Sequence, residues 1–129
     1  MAQVQKVLIV DDEASLVQLC KFILEMAGFE VRGAYNGRQA LHLVAEEIPD
    51  LIVLDVMMPG MNGIEVCRQI RKKHPDHTPY ILMYTADESE QTKHNSLGAG
   101  ANEFITKATP PHELADRIIS FHTANNLAS

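Results

Sequence analysis

Asp11, Asp12, Asp55, Thr85 and Lys107 are the residues of this sequence whose types and placement could do chemistry together. Each lies at the end of a short run that reads as a strand, the first three largely apolar: Lys6-Val7-Leu8-Ile9-Val10 stops at Asp11-Asp12-Glu13, Leu51-Ile52-Val53-Leu54 at Asp55, Tyr80-Ile81-Leu82-Met83-Tyr84 at Thr85, and Glu103-Phe104-Ile105-Thr106 at Lys107. Unbroken apolar runs read as strands buried on both faces. Where such strands lie parallel, their carboxyl ends share one edge, so these residues converge on one crevice. An isolated Asp55 followed by Pro59-Gly60 and Asn62-Gly63 would be read as a turn cap; convergence with the other acids argues for more. Carboxylates held a few ångströms apart repel one another unless a divalent cation neutralises them. Oxygen donors with no His or Cys close by in sequence select Mg²⁺, or Mn²⁺, over zinc. A cation on Asp11 and Asp12 keeps positions open for phosphate oxygens, while Lys107 adds positive charge and Thr85 a hydroxyl donor for a transferring phosphoryl group. Asp55, on the central strand, is then free to act as nucleophile and form an acyl phosphate.

The segments between these runs must place the five side chains. Ala14 to Ala27 has helical spacing through Leu16, Leu19, Cys20, Ile23, Leu24 and Ala27, and Gly28 closes it. Glu30 to Tyr35 is a short strand, and Asn36-Gly37 opens a helix to about Glu47 with Ala40, Leu41, Val44 and Ala45 inward. Ile64 to Lys73 reads as a helix buried through Ile64, Cys67 and Ile70, with Arg68, Arg71, Lys72 and Lys73 towards water and its basic end suited to the helix dipole. Asp87 to Leu97 is polar for a helix, so it is expected to be weakly packed and mobile. Pro110-Pro111 starts a last helix through Leu114, Ile118, Ile119 and Phe121, with a tail that frays from about Asn125. Strands alternating with helices across short loops predict an α/β fold, a doubly wound parallel sheet with helices on both faces.

At 129 residues and 46% hydrophobic the chain suits one domain, taken as 1–124 with a short tail at 125–129. A net charge of −6 argues against binding a nucleic-acid backbone and suits a cation partner. The amino terminus has no signal-peptide pattern and no apolar run approaches a membrane span, which points to the cytoplasm. Cys20 and Cys67 fall on apolar helix faces and read as buried free thiols. His74 and His77 lack further ligands nearby, and His42, His94, His112 and His122 read as solvated helix positions.

Across essentially its whole length the sequence resembles the receiver domains of two-component response regulators. The resemblance rests on Asp11-Asp12 after the first strand, Asp55 followed by Met57-Met58-Pro59-Gly60-Met61-Asn62-Gly63, Thr85-Ala86 after the fourth strand, and Lys107 after the fifth. It implies a flavodoxin-like (βα)5 sheet of order 2-1-3-4-5. Right-handed crossovers then place the first and last helices on one face and the middle three on the other, with Cys20 and Cys67 on opposite sides. By the same resemblance Asp55 is the phosphoacceptor, Asp11 and Asp12 are metal ligands, and the backbone carbonyl of Met57 completes the protein's share of the coordination. Thr85 is the hydroxyl that moves to the phosphoryl oxygen, Lys107 its ion-pair partner, and Phe104 the aromatic that turns inward. The implied activity is Mg²⁺-dependent acceptance of a phosphoryl group from a sensor histidine kinase or phosphotransfer protein. Its implied consequence is a change at the surface of the fourth helix, fifth strand and fifth helix, for a downstream protein or output domain.

Such a protein is a signalling switch rather than an enzyme, catalysing only its own phosphorylation and its dephosphorylation. By the resemblance, Met57 and Asp87 occupy the positions that tune self-dephosphorylation, and that reaction is expected to be slow because Met57 offers no polar group to orient water. Two residues depart from the family pattern: Lys107 is followed by Ala108-Thr109 before Pro110, leaving a cis or a trans bond after Lys107 open, and Phe104 stands where many relatives carry tyrosine. Two other readings compete. An aspartate-nucleophile, Mg²⁺-dependent phosphohydrolase of the haloacid dehalogenase kind would place its nucleophile after the first strand with a second Asp two residues on, where this chain has Glu13. A binding module that has abandoned the chemistry would not need all five site residues. Ending just after its last helix, the chain reads equally as a stand-alone receiver or as the receiver portion of a longer regulator.

Overall fold

The computed structural model describes residues 5–75 and 78–128, with side chains as far as Phe121. Five strands, β1 (Lys6–Val10), β2 (Glu30–Ala34), β3 (Leu51–Leu54), β4 (Tyr80–Thr85) and β5 (Glu103–Thr106), alternate with α1 (Ala14–Met26), α2 (Gly37–Glu46), α3 (Gly63–Lys73), α4 (Glu90–Gly98) and α5 (Pro111–Ala128). All the strand pairs are parallel and the order is 2-1-3-4-5, as expected. Residues alternate across the pleat, which divides the core in two. Leu8, Val10, Ile52, Leu54, Ile81 and Met83 pack with residues of α2 and α3, whereas Val7, Ile9, Val53, Leu82, Tyr84 and Ile105 pack with α1 and α5. Cys20 belongs to the second cluster and Cys67 to the first, so the sheet separates two free thiols, each pushed up to about 11 chiefly by burial.

Several expectations about helix faces need correction. In α1 the buried residues are Val17, Cys20 and Leu24, while Leu19 lies 47% exposed and Ala27 is also exposed. Centring the inward stripe on 17, 20 and 24 turns 19, 22 and 26 outward, so Phe22 and Met26 are 62% and 75% exposed. Ala45 of α2 faces solvent, and in α3 Val66 is buried where Ile64 is only partly so. Arg71 does not point to water: it is half-buried and donates from Nε to the Gly100 carbonyl (2.9 Å) and from Nη2 to Asn102 Oδ1 (2.7 Å). Helix α4 begins at Glu90 rather than Asp87, because Ser89 is its N-cap. Helix α5 continues to Ala128, past the point where the tail was expected to fray, and Ser129 lies outside the described residues. His42, His94 and His112 are exposed as expected, and His77 and the side chain of His122 lie outside the described residues.

Three helix starts explain themselves locally. The Asn36, Asn62 and Ser89 side chains accept from the backbone N–H of Gln39, Glu65 and Thr92, each three residues on, which satisfies an amide that the helix leaves without a partner. Helix α1 has no such cap. It starts directly from the acidic loop after β1.

Candidate functional site

The sheet register delivers the site residues to one edge. Val10 pairs with Leu54, Leu54 with Met83, and Thr85 with Thr106, so Asp11, Asp55, Thr85 and Lys107 lie at or one step beyond the ends of neighbouring strands. The backbone locks this arrangement: Asp55 N–H donates to the Val10 carbonyl (2.9 Å), Asp11 N–H to that of Ala34 (3.1 Å) and Lys107 N–H to that of Thr85 (2.8 Å). Asp11, Asp12 and Asp55 each offer a carboxylate oxygen, all within 4.8 Å of one another. Asp11 and Asp55 are buried and Asp12 is exposed. Lys107 Nζ lies 2.8 Å from Asp11 Oδ2 and 3.5 Å from Asp55 Oδ2, bridging the two buried acids.

The bond after Lys107 is trans. The following loop is fastened by Thr109 N–H donating to the Thr106 carbonyl (3.0 Å) and by the Tyr84 hydroxyl donating to the Thr109 carbonyl (2.5 Å). These bonds let Lys107 reach both carboxylates without a proline beside it. Phe104, on β5 opposite Met83, is partly buried against the cluster on the α2 and α3 side. Met57 is 59% exposed, and its N–H donates to Asp55 Oδ1 at 3.3 Å.

Burial first, and then the charge of Asp11, push the Asp55 carboxyl above the ordinary aspartate value; Lys107, the Met57 amide and the Thr85 hydroxyl work against that without cancelling it. For Lys107 burial favours the neutral amine, but the hydrogen bond to Asp11 and the charges of Asp55 and Asp11 outweigh it and hold the pKa above normal. Three carboxylates against one ammonium leave the site with two uncompensated negative charges, the charge that a divalent cation cancels. An all-oxygen donor set fits a hard cation such as Mg²⁺.

A family model described as the response regulator receiver domain matches residues 7–119, from β1 into α5 and through every residue of this cluster. The chain belongs to the response regulator receiver domain family. A CheY-like receiver domain protein from Methanospirillum hungatei JF-1 is 28% identical to this receiver with a TM-score of 0.87, the match covering 98% of this chain and 100% of that one. CheY4, a chemotaxis protein of Vibrio cholerae, is 33% identical with a TM-score of 0.84, over 92% of this chain and 98% of its own. A putative response regulator from Chloroflexus aurantiacus J-10-fl is 33% identical with a TM-score of 0.82, over 94% and 99%.

Two features of the receiver's site escape a reading of the sequence. Gly63 looks there like half of a turn signal, yet a Cβ at this position would sit 2.0 Å from the Asp55 carbonyl oxygen and 3.0 Å from Val56 Cα, so only glycine lets α3 start directly against the phosphoacceptor candidate. Its N–H donates to the Val56 carbonyl (2.9 Å) and closes the loop. The second feature is Asp87, whose N–H donates to Thr85 Oγ1 (3.3 Å) and whose carboxylate accepts from Ser89 N–H (2.9 Å) and the Thr92 hydroxyl (2.6 Å). Its place in the sequence marks Asp87 only as a residue that bears on self-dephosphorylation and gives no sign of these bonds.

Proposed function

We propose that this receiver accepts a phosphoryl group on Asp55 from a histidine kinase or phosphotransfer protein, in a Mg²⁺-dependent reaction, and passes the change to a downstream protein or output domain. The observation that carries the reading is Lys107 Nζ held between Asp11 and Asp55 at the sheet edge, with the Asp12 carboxylate beside them. Asp11 and Asp12, with Asp55 and the Met57 carbonyl, are the groups that would hold Mg²⁺, or Mn²⁺ in its place. When bound, the ion supplies positive charge to the phosphoryl oxygens. The chain's own residues do the rest. An Asp55 carboxylate oxygen attacks the donor phosphorus, the bond from phosphorus to the donor histidine nitrogen breaks, and the imidazole keeps the electron pair. Lys107 pairs with the incoming oxygens and Thr85 donates its hydroxyl to one of them. Phe104 turning inward completes the remodelling of the α4, β5 and α5 surface.

Thus the receiver catalyses its own phosphorylation and slow dephosphorylation and turns over no other substrate. Family membership favours this reading over the phosphohydrolase. Among the described residues no helix is long and apolar enough to cross a membrane, and a cytoplasmic setting suits a kinase-fed switch.

Incubation with acetyl phosphate and Mg²⁺, followed by intact mass, tests the proposal. The expected result is a gain of one phosphate that is absent without Mg²⁺ and absent in Asp55→Asn. An undiminished gain in Asp55→Asn would move the phosphoacceptor elsewhere.

A further inference from the structure

Among the helices whose side chains are described throughout, α4 has the fewest buried residues. Of Glu90–Gly98 only Ser96 is buried, and its fully enclosed hydroxyl has no hydrogen-bond partner among the described residues. With so little apolar burial, the position of α4 depends on polar fastenings at its two ends. At the carboxyl end, Arg71 grips the Gly100 carbonyl and Asn102 Oδ1, and Asn102 Oδ1 also accepts from Ile81 N–H (2.7 Å). That end is tied to both α3 and β4. At the amino end the bonds run in series from the phosphorylation site. The Thr85 hydroxyl faces Asp55, Asp87 N–H donates to Thr85 Oγ1, the Asp87 carboxylate accepts from Ser89 N–H and the Thr92 hydroxyl, and Ser89 Oγ accepts from Thr92 N–H (3.2 Å).

We infer that Asp87 and Thr92 form a strut that carries a displacement of the Thr85 hydroxyl into the first turn of α4, which makes them positioning residues of the switch. The inference rests on the proposed movement of Thr85 towards a phosphoryl group on Asp55. Thr85 Oγ1 accepts from the Asp87 amide where it now stands, so Asp87 must follow the hydroxyl or lose that bond. Asp87 is held twice to the start of α4 and only once to Thr85, so moving with Thr85 keeps every bond and draws the first turn along. Because Arg71 fixes the other end, the motion is a pivot: displacement is large at Glu90 to Thr92 and small from Gly98 to Asn102.

Residue-resolved amide hydrogen exchange, with and without acetyl phosphate and Mg²⁺, tests the strut, and intact mass of the same samples reports Asp55 separately. In the wild type, phosphorylation changes exchange in the first turn of α4 and leaves Gly98 to Asn102 nearly unchanged. Thr92→Val still takes up phosphate, but its first-turn response falls by about fivefold or more, the share of one hydrogen bond. Thr92→Ser restores the response, which a loss of helix propensity alone would not explain. A full-sized response in phosphorylated Thr92→Val overturns the strut. If the wild type takes no phosphate, the phosphoacceptor reading is what fails, and unmodified Thr85→Val still decides the strut. Faster exchange at Asp87 and in the first turn of α4 supports it, and exchange equal to the wild type overturns it.

Discussion

Asp55 is buried beside another carboxylate, with Lys107 only partly offsetting the charge, and its raised pKa converts directly into a pH dependence of folding. A carboxyl that binds its proton more tightly when folded than when unfolded makes the folded state bind more protons, so stability falls as pH rises through the window between the two values. The penalty is absent below the unfolded aspartate value of about 3.9 and complete above the folded one. Removing the charge should therefore stabilise the metal-free protein at neutral pH. Asp55→Asn is expected to raise Tm by a few degrees at pH 7, with the advantage shrinking as pH falls towards 4 and largely cancelled when Mg²⁺ stabilises the wild type. Thermal melts of both proteins across that range, with and without Mg²⁺, are the measurement. A Tm for Asp55→Asn below that of the metal-free wild type at pH 7 would show that the Lys107 ion pair outweighs the burial of the charge.

The junctions between elements set how well these residues are aimed. Gly60, with a φ of 76°, and Gly63, pressed against the Asp55 carbonyl, let β3 turn into α3 within a few residues. Gly63→Ala drives a methyl group into backbone atoms that no rotamer can move. Its expected cost is more than about 2 kcal/mol of stability in denaturant melts, with phosphorylation by acetyl phosphate slowed at least about tenfold as Asp55 is displaced. Normal stability together with normal phosphorylation would mean that the loop shifts freely and does not position Asp55. Helix α4 shows the opposite design, a near absence of apolar burial, and the sequence revealed this through its polarity. It did not reveal that Arg71, which reads as one more solvated base in the run Arg68 to Lys73, crosses to the loop after α4 and fixes one end of it.

At the scale of the whole molecule, the doubly wound sheet places the acidic cluster at one end and leaves α1, which starts immediately after Glu13, running away from it. Leu19, Phe22 and Met26 form an exposed apolar stripe along that helix. Under the proposed function, a protein that brings a phosphohistidine to Asp55 sits over the site, and α1 is a neighbouring surface on which it can bury apolar area. Small acyl phosphates need no such surface. The double variant Phe22→Glu, Met26→Glu is expected to keep its fold and its rate with acetyl phosphate, while transfer from a phosphorylated histidine phosphotransfer protein or kinase falls about tenfold or more. Equal loss with both donors would place the effect in the site itself, and no loss with either would remove α1 from the docking surface.

Periodicity and the residues at strand ends carried most of this protein in the sequence: five strands and helices in order, a parallel sheet, and the five chemical groups that such a sheet must bring to one edge. Those features depend on local pattern and on the one-way geometry of parallel strands. The tertiary structure alone decided which side of α1 faces inward, where Arg71 goes, why Gly63 is glycine and how Asp87 joins Thr85 to α4. Each of these depends on a neighbour distant in the chain or on a backbone approach of a few ångströms, and neither residue type nor spacing encodes such distances.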